Sequence, residues 1–442
     1  MIHLYKSNGF NMVLDVNSGS VHVVDDCVYD VLSCMNEGKN AEEAAEALSS
    51  KYAEQDITEA REEIQELTDN GMLFTKDIYE NAIDQFSNRP TVVKALCLHI
   101  AHDCNLACRY CFAEEGEYHG RRALMSLEVG KKALDFLIAN SGSRRNLEVD
   151  FFGGEPLMNW DVVKQLVAYG REQEKLHNKN FRFTLTTNGV LLNDEVMEFC
   201  NKEMGNVVLS IDGRKEVHDH MRPFRKGAGS YDLIVPKFQK FAELRHQDKY
   251  YVRGTFTHYN TDFAADVLHL ADLGFKQISV EPVVAPPTED YAIREEDLPV
   301  IFEQYDILAR EMIKREKEGR GFNFFHFMID LTGGPCVYKR LSGCGSGTEY
   351  LAVTPWGDFY PCHQFVGQED FCLGNVYEGV KKTERSTNSK NATFIPKRSA
   401  ASALHGSTAA ADARQTPTTS QVRSTMFTRS AVRCSRSGSS AH

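Results

Sequence analysis

Between Lys94 and about Gly321 the sequence alternates regularly between short apolar segments and longer amphipathic segments. The apolar segments have the length and composition of strands, and they lie at Ala95–Ile100, Leu147–Phe152, Phe181–Thr186, Val207–Ile211, Tyr251–Phe256 and Gln277–Val280. Helical patterns separate them, at Leu127–Ala139, Asp161–Glu174, Asp194–Met204, Leu233–Leu244 and Asp262–Leu273. This alternation predicts an α/β domain with a parallel sheet, either doubly wound or an incomplete barrel. In both architectures ligands bind at the carboxyl ends of the strands.

A group of cysteines follows the first predicted strand directly. Cys104, Cys108 and Cys111 form a C-x3-C-x2-C run. Thiolates grouped in one loop can hold three irons of a cubane cluster and leave the fourth iron open to a ligand. A three-thiolate zinc site and a set of reduced, packed cysteines are the alternatives, although zinc loops usually bring a further Cys or His pair close by.

Other polar or glycine-rich positions also fall near the ends of predicted strands. They are Gly153-Gly154-Glu155 after the second strand, Asn188 after the third, Ser210 at the end of the fourth and Arg253 on the fifth. Taken singly, the two glycines are better explained as a tight turn, Ser210 as an ordinary strand-end hydroxyl and Arg253 as an exposed edge residue. Together they obey the rule that places ligands at strand ends, and the fork of an arginine suits a carboxylate. The glycines do not form G-x-G-x-x-G, so no dinucleotide site is predicted.

The C-x3-C-x-aromatic-C loop and the Gly-Gly-Glu-Pro turn at residues 153–156 resemble those of the radical S-adenosylmethionine (radical SAM) enzymes. The resemblance implies a partial (β/α)6 TIM-type barrel over residues 94–321. It implies a [4Fe–4S] cluster on the thiolates of Cys104, Cys108 and Cys111. It also implies S-adenosylmethionine bound by Tyr110, Gly153, Gly154, Glu155, Asn188, Ser210 and Arg253. Enzymes of this kind cleave that cofactor reductively to a 5′-deoxyadenosyl radical, which abstracts a hydrogen atom from the substrate.

A second cysteine motif lies nearer the C-terminus, in the pattern Cys344-x12-Gly357-x4-Cys362. It resembles the opening of a SPASM extension, the domain that carries auxiliary iron–sulfur clusters in many radical SAM peptide modifiers. The resemblance implies that Cys344 and Cys362 are ligands of one or two auxiliary clusters in a domain over residues 322–380. Cys336 is either a further ligand or a packed thiol. A hairpin turn at Trp356-Gly357-Asp358 beside reduced cysteines is the alternative interpretation.

The tail differs in composition from the rest of the chain. Residues 381–442 contain 11 Lys and Arg, 2 Asp and Glu, and 21 Ser and Thr, which predicts disorder. A SPASM domain should instead continue with C-x2-C-x5-C-x3-C. Read from the third base of each codon, the pairs Ser399-Ala400, Ser402-Ala403, Thr408-Ala409 and Asp412-Ala413 can each encode cysteine, with that same spacing. We therefore hypothesise a frameshift after about Glu384, which the DNA sequence or an intact mass would reveal.

Residues 1–83 are predicted to form a separate unit. Strand patterns at residues 12–16 and 21–24 precede a helix that starts at Asp25 or Asp26, and helices at Ala41–Tyr52 and Ile57–Asn70 follow. Three strands and three helices are typical of a winged-helix-like module, although a plain N-terminal subdomain fits equally well. A polar linker is predicted at residues 84–93. The unit resembles peptide-recognition domains that bind the leader of a precursor peptide as an added strand, which implies a groove between Val21–Val24 and the third helix.

Composition excludes several classes of function. The net charge of −12 disfavours nucleic acid as a partner. No apolar run reaches the roughly 18–20 residues of a membrane span. The 12 cysteines, without a recognisable export signal, indicate metal or redox chemistry in the cytoplasm. Low-potential clusters need shielding from oxygen, which favours an anaerobic bacterium as the host.

At a finer level the chain is similar to the maturases of SCIFF peptides, six-cysteine peptides that are matured to thioethers. That resemblance implies a cross-link from a Cys sulfur to a carbon atom in a cysteine-rich precursor peptide bound through its leader. It also implies a low-potential electron donor such as ferredoxin or flavodoxin. A sulfatase-maturase-like oxidation of a protein or peptide residue and a non-catalytic, zinc-stabilised peptide-binding adaptor are the alternative functions.

Overall fold

The computed structural model describes residues 2–78, 92–118, 120–328 and 345–381. Its strands are β1 Ile2–Ser7, β2 Phe10–Asp15, β3 Val21–Val24, β4 Ala95–His102, β5 Ala123–Leu124, β6 Asn146–Gly153, β7 Asn180–Thr187, β8 Met204–Ser210, β9 Tyr250–Phe256, β10 Gln277–Pro282, β11 Asn323–Phe324, β12 Tyr350–Val353, β13 Asp358–Tyr360, β14 Gly374–Asn375 and β15 Gly379–Val380. Its α-helices are Asp26–Asn36, Ala41–Leu48, Glu54–Asp69, Leu127–Asn140, Trp160–His177, Asp194–Glu203, Lys215–Met221, Tyr231–Leu244, Phe263–Asp272 and Leu298–Lys317. Within these ranges, no helix has the length and apolarity that a membrane span requires. The described residues do not include the predicted ligand Cys344, Cys336 (either a ligand or a packed thiol), most of the predicted linker or the tail beyond residue 381.

The central sheet is parallel and adds its strands in chain order. Strands β4, β6, β7, β8, β9 and β10 lie side by side in that sequence, and each neighbouring pair is parallel. A doubly wound sheet would reverse the direction of strand addition at a switch point, whereas this sheet does not. Right-handed crossovers then place the intervening helices on one face. The predicted α/β fold with a parallel sheet is confirmed, and the strand order favours the barrel alternative; the six-stranded partial barrel itself stays a prediction.

The two faces of the parallel sheet differ in polarity. The helix-covered face carries fully buried side chains such as Phe151 and Phe183, whose ring centroids lie 5.6 Å apart. On the opposite face, Ser210, Arg253 and Ser279 are direct neighbours on β8, β9 and β10. Because side chains alternate along a strand, the apolar core on one face leaves this polar row on the other. The polar row lies toward the carboxyl ends, where the sequence places the site.

The N-terminal unit has its own sheet and core. Strands β1, β2 and β3 form an antiparallel sheet in that order, and the three helices that follow pack on it. The first two helices start where the sequence predicts, because Asp25 accepts a hydrogen bond from the Val28 N–H and Asn40 forms a capping box with Glu43. The third starts three residues before the predicted Ile57, at Glu54. The three predicted strands and three predicted helices are therefore present. The likeness to a winged helix stays a prediction.

The last described segment extends the central sheet. Strand β12 pairs in parallel with β4, and β13, β14 and β15 continue from it as antiparallel neighbours. All eight residues of β4 are buried. Its backbone N–H and C=O groups therefore need hydrogen-bond partners on strands at both edges. The described part of the predicted C-terminal domain thus shares a sheet with the parallel strands. The hairpin predicted at Trp356-Gly357-Asp358 is present, with Gly357 at a φ of 95° that favours glycine.

The carboxylate of Asp15 closes the turn between β2 and β3. It is fully buried and accepts hydrogen bonds from the N–H of Ser18 at 2.9 Å and of Thr75 at 3.0 Å, and from the Thr75 hydroxyl. Burial alone would raise the pKa of Asp15, but these hydrogen bonds outweigh burial and lower it. The carboxylate therefore stabilises the folded unit when it is ionised.

We expect Asp15→Asn to lower the free energy of unfolding of the N-terminal unit by about 1–3 kcal/mol near neutral pH. Because the folded-state pKa is lowered, this contribution is present above the unfolded pKa of about 3.9 and is lost as the pH falls through the folded value. Hydrogen exchange of the β2 and β3 amides measures the effect. An equal loss in the exposed-residue control Glu62→Gln would contradict it.

Candidate active site

A cavity of about 570 Å³ opens at the carboxyl ends of the parallel strands. Its volume is in the range of cofactor and small-molecule sites. Most of the predicted site residues line it, namely Cys104, Cys108, Tyr110, Cys111, Gly153, Gly154, Asn188, Ser210 and Arg253. Among the described residues, the predicted ligands Glu155 and Cys362 do not line the cavity. The folded chain thus gathers side chains from four strand ends and one loop around a single space.

The three loop thiols face this cavity as half-buried, free cysteines. Burial raises the pKa of Cys104 to about 12, with a further contribution from the Glu155 carboxylate, and raises that of Cys108 to about 12 against the opposing charge of Arg222. Both are therefore protonated thiols near neutral pH, and metal binding would release their protons. Three thiols in one loop beside an open cavity fit a cluster that takes one thiolate per iron. The described residues contain no group of three or more His, Cys, Asp or Glu arranged around a single ion.

The cysteine loop is held in place by the segment Met221–Arg225, which the sequence analysis did not single out. The backbone N–H groups of Ala107 and Arg109 donate to the carbonyl oxygens of Pro223 and Met221, each at 2.9 Å. The Arg225 guanidinium donates to the carbonyl oxygen of Cys104 at 2.6 Å and to the carboxylate of Asp103 at 2.9 Å. These bonds satisfy backbone groups that an irregular loop would otherwise leave open.

The Gly-Gly turn approaches the start of the cysteine loop closely. A Cβ atom on Gly154 would overlap the carbonyl oxygen of Asp103, and one on Gly153 would overlap that of Ala101. Gly153 also has a φ of 121°, a backbone conformation that other residues rarely adopt. The N–H of Gly154 donates to Ala101 at 2.8 Å and the N–H of Glu155 donates to Asp103 at 2.9 Å. Both glycines are required by contact between two backbones.

The carboxylate of Glu155 is directed into the protein and not into the cavity. It is fully buried and accepts hydrogen bonds from the N–H of Leu157 at 3.0 Å, the hydroxyl of Thr187 at 2.8 Å and the N–H of Asn188 at 2.8 Å. Burial raises the pKa of Glu155 to about 7, although these bonds oppose the shift. The Glu155 side chain thus ties the turn after β6 to the end of β7. Its predicted contact with the cofactor stays a prediction.

Asn188 is oriented toward the thiols by this connection. Its side-chain amide donates to the oxygen of Asn105 at 2.7 Å and lies 3.6 Å from the sulfur of Cys104. An amide N–H at that position can donate to a thiolate ligand, and such bonds tune metal sites.

A buried ion pair lies behind the aromatic residue of the cysteine loop. The Tyr110 hydroxyl donates to both oxygens of Asp212 at 2.8 Å, and the Arg222 Nε donates to the same carboxylate at 3.0 Å. The Thr255 N–H adds a further bond at 3.0 Å. The Arg222 guanidinium also lies 5.3 Å from the centre of the Tyr110 ring, within the range of a cation–π contact. Neither Asp212 nor Arg222 was predicted from the sequence to belong to the site.

The polar floor of the cavity carries one more pair of charges. Ser210 and Arg253 are direct neighbours on β8 and β9, and Arg253 donates to Glu281 on β10 at 2.6 Å. The ion pair with Arg253 and a bond from Ser279 lower the pKa of Glu281 although burial opposes them. Arg253 remains half exposed, so its other N–H groups face the cavity. Arg253 therefore lines the cavity, and its role in cofactor binding stays a prediction. Glu281 was not predicted.

The described part of the second cysteine motif lies next to the same cavity. Cys362 is half-buried in an apolar cluster that also includes Cys97, Cys111 and Cys372. The next residue, His363, lines the cavity with its ring 5.1 Å from that of Phe152. Burial lowers the pKa of His363 to about 4, so its ring is neutral near neutral pH. The motif therefore adjoins the cysteine loop, although Cys344 lies outside the described residues.

We expect Glu155→Ala to lower the free energy of unfolding by about 2–4 kcal/mol, because three buried donors lose their acceptor. Glu155→Gln keeps one oxygen and should lose less. Because the pKa of Glu155 in the folded state is raised to about 7, protonation of this carboxyl stabilises the folded state. That contribution to stability is fully present below the pKa of the unfolded state and is lost as the pH rises through the folded value. Urea unfolding of the wild type should therefore weaken between about pH 5 and 7 more steeply than that of Glu155→Gln. Parallel profiles would contradict this assignment.

We expect Arg222→Met to lower the free energy of unfolding by about 3–5 kcal/mol, because it leaves the Asp212 carboxylate buried without its cation. The double variant Arg222→Met with Asp212→Asn should recover part of that loss. Thermal and urea unfolding measure both. Arg182→Met is the matched control, since its ion pair with Glu148 is exposed and its removal should change little. Strictly additive single effects would contradict the coupling.

Comparison with known proteins agrees with this geometry. Residues 98–273 match the family model of the Radical SAM superfamily. The radical SAM cyclopropyl synthase TigE of Paramaledivibacter caminithermalis is 20% identical over 426 residues, covering 88% of this chain and 82% of that protein. A serine-type anaerobic sulfatase-maturating enzyme of Bacteroides thetaiotaomicron is 26% identical over 303 residues, covering 62% of this chain and 70% of that protein.

Two solved structures have a similar fold. Native anSMEcpe with bound AdoMet and Kp18Cys peptide matches with a TM-score of 0.55 at 18% identity, over 68% of this chain and 82% of that one. SuiB of Streptococcus suis bound to the precursor peptide SuiA matches with a TM-score of 0.50 at 16% identity, over 86% and 85%. Members of the superfamily are enzymes. Residues 98–273, which match the Radical SAM superfamily model, thus lie on an α/β fold with a parallel sheet.

Proposed function

We propose that this protein is a radical SAM enzyme that forms thioether cross-links, from a Cys sulfur to a carbon atom, in a ribosomally made precursor peptide. The observation that carries the proposal is the convergence of three loop thiols, the Gly-Gly turn and the polar row of the sheet on one cavity, with the second cysteine motif beside it. The sequence of this chain resembles the subfamily of the SCIFF-peptide maturases.

The residues present fit a [4Fe–4S] cluster with S-adenosylmethionine. Cys104, Cys108 and Cys111 would hold the cluster, because they are the thiols that face the cavity. The bound pair supplies reductive cleavage of a sulfonium and, from it, abstraction of a hydrogen atom from the substrate. Asn188 would donate to the thiolate of Cys104 and thereby orient it.

The polar row would bind the amino-acid end of the cofactor. Arg253 uses one edge of its guanidinium on Glu281, which leaves other donors for a carboxylate. Ser210, its neighbour on β8, offers a hydroxyl to the same group. The backbone of Gly153 and Gly154 lines the cavity without side chains, so a ligand amine can approach it closely. We assign Glu155 the role of positioning that backbone.

The walls of the cavity would exclude water from the reacting atoms. Phe112, Phe152 and Phe371 line the space together with Val284. Phe112 is 47% exposed and therefore lies at the mouth, where a peptide side chain would enter. Apolar walls around a reactive carbon radical suppress its quenching by other groups.

A peptide substrate is supported by two observations. A separate unit with an open strand edge precedes the barrel domain, and β3 has one strand neighbour, β2, among the described residues. SuiB, which shares the fold over most of both chains, has been solved with a precursor peptide. We propose that the N-terminal unit binds the leader while the cavity receives the segment to be cross-linked. A ferredoxin or flavodoxin in the cytoplasm of an anaerobic bacterium would supply the electrons.

The second candidate function is a sulfatase-maturase-like oxidation, favoured by the sulfatase-maturating relative. Both reactions remove two hydrogen atoms from the substrate. They differ in the substrate thiol: a cross-link between sulfur and a second residue consumes a thiol and joins two positions, whereas oxidation of one residue to an aldehyde joins none. Tandem mass spectrometry after thiol alkylation therefore separates them. A zinc-stabilised adaptor would give no absorption near roughly 400 nm after anaerobic reconstitution with iron and sulfide.

We expect Cys362→Ala to abolish cross-linking of a cysteine-rich precursor peptide while 5′-deoxyadenosine formation persists. The physical reason is that Cys362 lies beside the cavity and would hold an auxiliary cluster, whereas the loop thiols remain intact. Cys104→Ala should abolish both products. Cys200→Ala, which replaces a thiol buried in the core away from the cavity, should abolish neither. Iron content, 5′-deoxyadenosine and peptide mass are measured together; full cross-linking by Cys362→Ala would contradict the assignment.

A further inference from the structure

The N-terminal unit has a much higher density of negative charge than the part of the chain that follows it. Residues 2–78 contain 16 Asp and Glu against 5 Lys and Arg, a net charge of −11 in 77 residues, whereas residues 79–380 carry −10 in 302 residues. The few cations are largely paired inside the unit, in the contacts Lys6–Asp26, Lys39–Glu37 and Lys51–Asp30. The excess of acids is therefore not neutralised by the fold of the unit.

Much of this charge lies on one helix. Glu54–Asp69 contains seven Asp and Glu and a single Arg, and all seven acidic side chains are exposed. The buried face of the same helix consists of Ile57, Ala60 and Ile64. Packing therefore explains the apolar positions, whereas acids at neighbouring positions repel one another and would weaken an isolated helix. A cost of this kind is offset when a cationic partner binds.

The end of this helix lies next to an open strand. The segment after the helix folds back through bonds from the N–H groups of Met72 and Leu73 to the carbonyl oxygen of Leu67. The His22 Nε2 on β3 then lies 3.4 Å from the carbonyl oxygen of Met72. Within the described residues, β3 has β2 as its strand neighbour and its other edge has none. We call β3, Met72 and the acidic helix Glu54–Asp69 the β3 surface.

The β3 surface also exposes apolar side chains. Val23 is 59% exposed and Met72 is 39% exposed. The opposite edge of the sheet differs, because the turn after β1 contacts the helix Leu298–Lys317 through Ser7 and Asn8. An open edge with exposed Val is a template for pairing with an added strand, and natural proteins otherwise protect such edges.

We propose that the β3 surface binds an extended, lysine- or arginine-rich peptide segment, and that this segment belongs to the leader of the precursor peptide. This inference rests on the proposed function and adds the charge of the partner to it. Main-chain hydrogen bonds to β3 supply pairing, Val23 and Met72 contact an apolar residue, and the acidic helix attracts the cations. The attraction also accelerates encounter, since a unit of one sign raises the local concentration of a peptide of the other.

The test uses the full chain and two short synthetic peptides that share one apolar pattern, one with Lys and the other with Glu at the polar positions. Fluorescence anisotropy should show binding of the Lys peptide only. Because the Debye length falls from about 10 Å at 0.1 M salt to about 3 Å at 1 M, binding should weaken at least about tenfold over that range. Equal binding of both peptides, or binding that salt does not change, would overturn the proposal.

Charge variants locate the surface. The triple variant Glu62→Gln, Glu66→Gln and Asp69→Asn should weaken binding of the Lys peptide about five- to tenfold. The matched control removes the same number of exposed acids from the barrel domain, with Glu128→Gln, Glu172→Gln and Glu198→Gln. An equal effect of the control would show attraction to the whole molecule and would overturn the assignment to β3.

Substitutions of Val23 distinguish the effect of charge at the strand edge from the effect of apolar contact. Val23→Lys and Val23→Glu remove the same exposed apolar contact but change the charge of the edge in opposite directions. Val23→Lys should bind the Lys peptide several-fold more weakly than Val23→Glu. Equal affinities of the two variants would overturn the role of β3.

Two further outcomes would overturn this inference without overturning the proposed function. If 5′-deoxyadenosine and cross-linked product form with a precursor whose leader Lys and Arg are replaced by Gln, at unchanged KM, this inference falls and the proposed function stands. Binding of the Lys peptide that appears only after residues 382–442 are removed would assign the surface to the chain's own basic tail and would overturn the proposal.

Discussion

The close contact between the Gly153-Gly154 turn and the backbone that leads into Cys104 fixes the position of the site. Two main chains meet there with no space for a Cβ atom, and the N–H groups of Gly154 and Glu155 donate to the carbonyl oxygens of Ala101 and Asp103. Since β4 and β6 are adjacent parallel strands, their carboxyl ends are brought together by the sheet itself. The thiols, the turn and the end of β7 then follow as one rigid assembly, because the Glu155 carboxylate joins the last two.

Buried charge in this assembly is compensated locally. Arg222 is paired with Asp212, and Arg253 with Glu281. The first pair is almost completely buried, so the cost of removing both charges from water offsets most of their attraction. Its main effects are to leave neither charge unpaired and to hold the Tyr110 hydroxyl in place. The second is half exposed and keeps donors free on the cavity side. Paired charges give the cavity polar contacts for a zwitterionic ligand without a large net potential.

Sequence periodicity was sufficient for the parallel sheet, because strands buried on one face and helices with one apolar stripe leave clear patterns. Predicted strand Ala95–Ile100 became Ala95–His102, and predicted helix Ile57–Asn70 became Glu54–Asp69. The placement of Cys104, Gly154 and Asn188 around one space was also predictable, since chain order and the strand-end rule determine it. What could not be predicted was the direction of individual side chains. Glu155 is directed inward by donors from two separate loops, a fact that no local pattern encodes.

The residues that were missed share one property: their role depends on contacts between distant segments. Met221–Arg225 binds the cysteine loop largely through backbone groups, which any residue types could supply, and Arg222 is meaningful only beside Asp212. In the same way, β12 joins β4 from the far end of the chain, so the second cysteine motif lies beside the first.

The charge of the molecule is divided between its parts in a way that suits a peptide substrate. The cavity pairs its charges, whereas the N-terminal unit leaves its acids exposed. Ser7 and Asn8 form hydrogen bonds with Asp306 and Arg310 on the helix Leu298–Lys317, which connects that unit to the α/β domain and leaves the edge of β3 open within the described residues. In the proposed function, charge would decide which peptide binds, and the distance from β3 to the cavity would decide which of its residues reacts, because a tethered segment reaches only as far as its length allows. Selection of the peptide and selection of the residue would then depend on separate surfaces, and each could change without altering the thiols.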